Sequence, residues 1–159
     1  MSRILCRCHL FWQQGLTITE LLIVLGILSV VSLISGTWLF SQIPHYQLNG
    51  AVRQVRGDLL AARMQAVTQG NEFRVFFEDD QHYHILDDDN NNGKVDPGEI
   101  VEQRSILEDY EGVIVYSNRN PIFHPRGTAS SLGTVTIANK AGEKSLTVSI
   151  TGRVKVKSP

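Results

Sequence analysis

The chain has 159 residues, of which 42% are hydrophobic, and its 15 basic and 16 acidic side chains give a formal net charge of −1. This length is sufficient for one domain together with a membrane anchor. The slight acidic balance argues against general affinity for nucleic acid, which requires a basic surface. The hydrophobic residues are unevenly distributed, because one long apolar run precedes a more polar remainder.

The apolar run extends from Leu21 to Phe40 and contains no charged residue. As a helix, a run of this length rises about 30 Å, which matches the hydrocarbon core of a bilayer. Arg3 and Arg7 precede the run, and basic residues there favour a cytoplasmic N-terminus. The run therefore predicts a single-pass membrane protein whose C-terminal part faces outward. A secretory signal cleaved near Ser35–Thr37 is the alternative.

Glu20, at the head of the apolar run, is the most informative single residue. A carboxylate inside a bilayer costs about 2.5–3.5 kcal/mol, and no Lys, Arg or His lies between His9 and His45. Cleavage after Gly15 would create an α-amine on Leu16, four residues before this acid, which could neutralise it in the same chain or in a neighbour. The alternative is an ordinary transmembrane helix whose acid lies at the headgroup level.

The basic leader, Gly15 and the Thr17-x-x-Glu20 motif before an uncharged run resemble the prepilin signature of type IV pilins and type II secretion pseudopilins. The resemblance implies that a prepilin peptidase cuts after Gly15 on the cytoplasmic side. It also implies that the new N-terminus, Leu16, is methylated, although Phe is more usual there. Glu20 would then recruit the subunit and set its register against the amine of a neighbour.

Beyond Pro44 the hydrophobic pattern becomes amphipathic and predicts a helix that continues to Gly70–Asn71. We expect one helix over about residues 17–69. Its apolar residues recur at spacings of three and four and form one stripe, which comprises Leu48, Val52, Val55, Leu59, Ala62 and Ala66. We interpret the stripe as core packed against a sheet, with a groove for a partner as the alternative.

From Glu72 onward, short β-prone runs alternate with turns. The predicted fold class is α+β, with a long N-terminal helix packed on antiparallel β-sheets as in pilins. The helix has a transmembrane half and an amphipathic half. The predicted domains are a cleaved leader over 1–15, a transmembrane and assembly helix over 16–43, and a periplasmic domain over 44–159. Cys6 and Cys8 lie in the leader, so the mature chain would contain no disulfide.

Three C-terminal blocks, Phe123–Gly127, Gly133–Ile137 and Val148–Lys155, resemble those of the GspH/FimT-like pseudopilins. Members are minor subunits of the type II secretion pseudopilus or of type IV pili. The resemblance implies an inner-membrane protein with other pilin subunits and the prepilin peptidase as partners, and with secreted cargo or DNA as further candidates. It implies no enzymatic activity, and the sequence itself does not pair a nucleophile with a base.

Residues 88–99 have the spacing of an EF-hand calcium loop, with oxygen-bearing side chains at loop positions 1, 3, 5, 9 and 12 and Gly93 at position 6. The candidate calcium ligands are Asp88, Asn90, Asn92, the Lys94 carbonyl, Asp96 and Glu99. Flanking helices are not predicted, and only three of the five side-chain ligands are acids, so the expected affinity is modest. The alternative is a solvated Asx-rich hairpin turn.

The basic C-terminal run contains Arg153, Lys155 and Lys157, which could bind phosphate groups. Some FimT-like pilins are associated with DNA capture through a Gly-Arg-x-Arg-like motif, and Gly152–Lys155 resembles it with Lys in place of the second Arg. Lys keeps the charge but lacks the bidentate guanidinium fork. A DNA-binding minor pilin is therefore the alternative function. An edge strand protected by charge is the structural alternative.

Three histidines could belong to a site, but the sequence favours an ordinary structural role for each. His82 and His84 fall on the same face of a predicted strand and could form a metal pair, but two ligands without a third favour surface histidines. His124 precedes Pro125 and is interpreted as a turn residue.

Overall fold

The computed structural model describes residues 17–157, apart from the side chains of residues 34–39. The predicted cleavage site between Gly15 and Leu16 therefore lies outside the described residues, as do Cys6 and Cys8.

Helix α1 comprises Ile18–Gln69, which agrees with the predicted helix to within one residue. Thr17 caps its N-terminus, because the Thr17 hydroxyl oxygen accepts a hydrogen bond of 3.2 Å from the backbone N–H of Glu20. At the other end, Gly70 has a φ of 83°, and its N–H donates to the Ala66 carbonyl at 3.1 Å. This left-handed glycine ends the helix at the position that the sequence indicates.

The chain divides into two compact units, with the boundary between Ser41 and Gln42. Among the described side chains of the N-terminal unit, the large apolar ones of α1 are exposed, from 44% for Val24 to 80% for Ile18. Within the described part of the chain, no helix has both the length and the apolar character needed to cross a membrane. Side chains 34–39, which belong to the predicted span, lie outside that part.

The strands of residues 17–157 form two antiparallel sheets, which confirms the predicted α+β class. Sheet A has the order β3-β2-β1-β5-β6, and sheet B has the order β4-β7-β8-β9. The bounds in sheet A are β1 Glu72–Phe77, β2 His82–Asp88, β3 Val101–Ser105, β5 Ile122–Phe123 and β6 Ala129–Ser130. The bounds in sheet B are β4 Ile114–Ser117, β7 Thr134–Asn139, β8 Gly142–Val148 and β9 Val154–Lys157.

The core of the C-terminal unit lies between α1 and the two sheets. All six residues of the predicted helical stripe are at most 5% exposed, which confirms that the stripe is core. They pack in one cluster with side chains from both sheets, among them Phe73, Val75, Val135, Ile137 and Leu146. Burial of each Leu, Val, Ile or Phe side chain in this cluster contributes about 1.5–3 kcal/mol, so this face of α1 fixes the helix to the sheets.

Strand β2 departs from the alternating burial of a sheet with one exposed face. Tyr83 and Ile85 belong to the core cluster, yet Leu86 and Asp88 on the opposite face are also fully buried. The connection between β2 and β3 covers this outer face, where Gly93 lies against the Arg74 side chain. The segment with the EF-hand-like spacing therefore packs on sheet A.

Candidate assembly and binding sites

Glu20 lies in the first turn of α1, where the partial positive charge of the helix N-terminus stabilises a carboxylate. Thr17 and Glu20 have the spacing of a capping box, and the Thr17 carbonyl accepts the N–H of Leu21 at 3.1 Å. Glu20 is exposed, and no residue from 17 to 157 forms an ion pair with it. The amine that is predicted to neutralise it, on Leu16, falls outside those residues.

The buried carboxylate of Asp88 is the best-satisfied group of the predicted calcium loop. It accepts backbone N–H groups from Asn92 at 3.0 Å and from Gly93 at 2.9 Å, and it forms an ion pair with the Arg74 guanidinium. Arg74 also contacts Glu72 at 3.0 Å. The guanidinium thus neutralises the acid at the first loop position.

The remaining predicted ligands mostly bind one another. The side-chain amides of Asn90 and Asn92 donate to Asp96, and these hydrogen bonds lower the pKa of the Asp96 carboxyl. The N–H of Asp96 in turn donates to Glu99 Oε2 at 3.0 Å. Glu99 Oε1 is buried and has no hydrogen-bond partner among the described residues. Lys94 donates its N–H to the Asn92 side chain at 2.7 Å.

No three His, Cys, Asp or Glu side chains of the described chain are grouped so that they could hold a metal ion. The structure therefore brings the predicted calcium ligands into one loop but joins them through hydrogen bonds and Arg74. The calcium site stays a prediction.

The predicted DNA-binding residues lie at one edge of sheet B. Strand β9 is the edge strand, and Arg153, Lys155 and Lys157 are all exposed. Lys155 is opposite Thr147 and Lys157 is opposite Ser145, so the two lysines share one face of the sheet. The result is a short basic edge, which fits either phosphate binding or protection of the edge by charge.

The turn before β9 is tightly packed in a way that the sequence pattern does not indicate. Gly152 has a φ of 70°, and a Cβ there would collide with the Gly127 carbonyl and with Arg63. Arg63, from α1, donates to the Gly127 carbonyl at 2.8 Å and to the Thr151 carbonyl at 3.2 Å. Gly127 and Gly152, from two of the C-terminal blocks, thus both lie against the Arg63 side chain of α1.

The three histidines have separate partners. His82 contacts Asp79 at 2.9 Å, and the hydrogen bond from His82 is the main reason that the pKa of the Asp79 carboxyl is lowered. His84 contacts Glu78 at 2.8 Å, so the two rings do not converge on one metal position. His124 does lie in a turn, where the N–H of Gly127 donates to its carbonyl at 2.8 Å, but its ring also bridges two strands.

Comparison with solved structures identifies relatives of the same fold. The type IV minor pilin FimU of Pseudomonas aeruginosa PAO1 is 16% identical, with a TM-score of 0.56 over 72% of this chain and 90% of that chain. The minor pseudopilin EpsH from the type 2 secretion system of Vibrio cholerae is 15% identical, with a TM-score of 0.55 over 71% of this chain and 98% of that chain. At these identities the likeness shows a shared fold.

No curated protein matches the chain in sequence. The sequence profile of the family described as type II transport protein GspH matches residues 51–152, a segment from the core face of α1 to the turn before β9. Because this match covers more than half of the chain, the protein belongs to the GspH family.

Proposed function

We propose that this GspH-family chain is a minor subunit of a type II secretion pseudopilus or a type IV pilus and that it assembles through the head of α1. A prepilin peptidase removes residues 1–15, and the methylated amine of Leu16 becomes the counter-charge of Glu20. The assembled subunit has a mechanical role. Before assembly, residues 16–43 anchor it in the inner membrane with the remaining domain in the periplasm.

The observation that carries this proposal is the head of α1. Glu20 is exposed in the first helical turn without an ion pair among residues 17–157, and large exposed apolar side chains follow it. Continuous apolar surface of this kind favours contact with lipid or with other proteins. A carboxylate in such surroundings requires a cation, and a packed neighbour with a free amine supplies one.

The assembly proposal can be tested by shearing fibres from cells that make this protein and probing the sheared fraction with an antibody against the C-terminal unit. We expect the chain in the fibre fraction together with other pilin-type subunits. Its recovery only in the membrane fraction, under conditions in which fibres form, would contradict the proposal.

A second candidate function is DNA binding along β9, and the exposed row of Arg153, Lys155 and Lys157 favours it. The double variant Arg153→Glu with Lys155→Glu should abolish a gel shift of a short duplex at low salt. Each lost phosphate contact should also reduce the slope of log K for DNA binding against log salt concentration by about 0.9. Lys140→Glu, at an exposed position outside β9, is the control. A shift that survives the double variant would exclude this edge.

We also propose weak calcium binding to residues 88–99, because Glu99 Oε1 is buried without a hydrogen-bond partner among residues 17–157 and the spacing fits. Calcium must displace Arg74 from Asp88, so the expected dissociation constant is about 0.1–1 mM. At tenfold excess, calcium should stabilise the fold by about 1.4 kcal/mol, which thermal melting and calorimetry can detect. Glu99→Gln should remove the effect, and Arg74→Gln should strengthen binding. No heat and no melting shift with millimolar calcium would end the proposal.

A further inference from the structure

Three polar side chains on neighbouring strands of sheet A form a linked set that subunit assembly does not use. His124 follows β5, the strand between β1 and β6 in the sheet. Its Nδ1 lies 2.7 Å from Oε1 of Glu72, the first residue of β1. Its Nε2 lies 2.8 Å from Oγ of Ser130, the last residue of β6. The strand order therefore aligns a hydroxyl, an imidazole and a carboxylate.

The carboxylate determines which ring nitrogen carries the proton. An ionised carboxylate can only accept hydrogen bonds, so in the neutral ring Nδ1 donates to Glu72. Nε2 then has a free lone pair and accepts the hydroxyl proton of Ser130. Arg74 lies 3.0 Å from the other oxygen of Glu72 and fixes the orientation of the carboxylate.

The serine end of this set is partly exposed. The side chain of His124 is 27% exposed, and Ser130 is half-buried. The chain turns sharply after Ser130, since Ser131 has a φ of 51°. A small ester would reach the hydroxyl from this partly exposed side.

We propose that Ser130 is an activated nucleophile that accepts acyl groups from activated carboxylic esters, with His124 as its base and Glu72 as a positioning residue. The Ser130 oxygen attacks the carbonyl carbon while its proton passes to His124 Nε2. The bond to the leaving alcohol breaks, the alcohol takes the proton from His124, and an acyl ester remains on Ser130. Water, deprotonated by the same nitrogen, later releases the acid and restores the hydroxyl.

The test uses the full chain purified in detergent, para-nitrophenyl acetate as the ester, and peptide mapping by mass spectrometry. Ser130 should be acetylated faster than Ser117 and Ser145 of the same molecules. His124→Gln should slow the labelling of Ser130 about a hundredfold, and Glu72→Gln should slow it about tenfold. Ser145→Ala is the control variant and should leave the rate at Ser130 unchanged.

The wild-type chain provides a test that does not depend on a variant that folds. Labelling of Ser130 at the same rate as the other serines would overturn the proposal. Unchanged labelling in a folded His124→Gln variant would do the same.

Discussion

Replacing Glu20 with glutamine is expected to exclude the chain from assembled fibres while leaving cleavage after Gly15 and the folded C-terminal unit intact. In the proposed fibre, the carboxylate and the amine of a neighbour form an ion pair within apolar surroundings. Removal of one partner from such a pair costs about 3–5 kcal/mol. This cost lowers the equilibrium constant for each subunit contact more than a hundredfold. The measurement is the amount of chain in sheared fibres, relative to the amount in the membrane.

Glutamine is an informative replacement because it also fits the last position of a capping box. Any effect on assembly then reports the lost charge and not a frayed helix end. Thr17→Ala provides the matched control, since it removes the cap of α1 at a cost of about 1 kcal/mol but keeps the charge of Glu20. Equal recovery of Glu20→Gln and wild-type chains in fibres would show that the acid has no role in assembly.

The substitution Gly152→Ala is expected to destabilise the C-terminal unit strongly. An alanine with left-handed backbone angles costs about 1–2 kcal/mol. At this position the new Cβ would also meet the Gly127 carbonyl and the Arg63 side chain, and overpacking against backbone adds about 1–3 kcal/mol. The free energy of unfolding should therefore fall by about 3 kcal/mol or more, as measured by denaturant titration.

Gly112→Ala separates the two contributions. Gly112 has a φ of 74°, close to the value at Gly152, but a Cβ there would have no neighbour within 4 Å. The loss of stability in the Gly112→Ala variant should therefore reflect the backbone angle alone. Equal losses in the two variants would mean that the contact of Gly152 with Gly127 and Arg63 is not tight in solution.

Local signals in the sequence were sufficient to predict the main elements of the fold. The helical stripe from Leu48 to Ala66, with Gly70 as the stop, places α1 correctly because periodic burial and a left-handed glycine are both local features. The short β-prone runs predicted after Glu72 likewise agree with strands β1 to β9. The resemblance to GspH/FimT-like pseudopilins came from the leader motif and the three C-terminal blocks, and the family profile over residues 51–152 confirms it.

The contacts that the sequence does not indicate join residues far apart in the chain. Arg63 binds the Gly127 and Thr151 carbonyls across 64 and 88 positions, and His124 binds Glu72 across 52. Hydrophobic periodicity contains no information about such polar contacts, because they depend on strand order. The predicted calcium loop shows the same limit, since Arg74 on a neighbouring strand neutralises Asp88.

The N-terminus of the protein from its own cells tests the central claim most directly. We expect intact mass and terminal sequencing of the membrane-purified chain to show a first residue of Leu16 with a methyl group on its α-amine. A chain that still begins at Met1 would lack the amine on which the role of Glu20 depends, and it would contradict the assembly proposal.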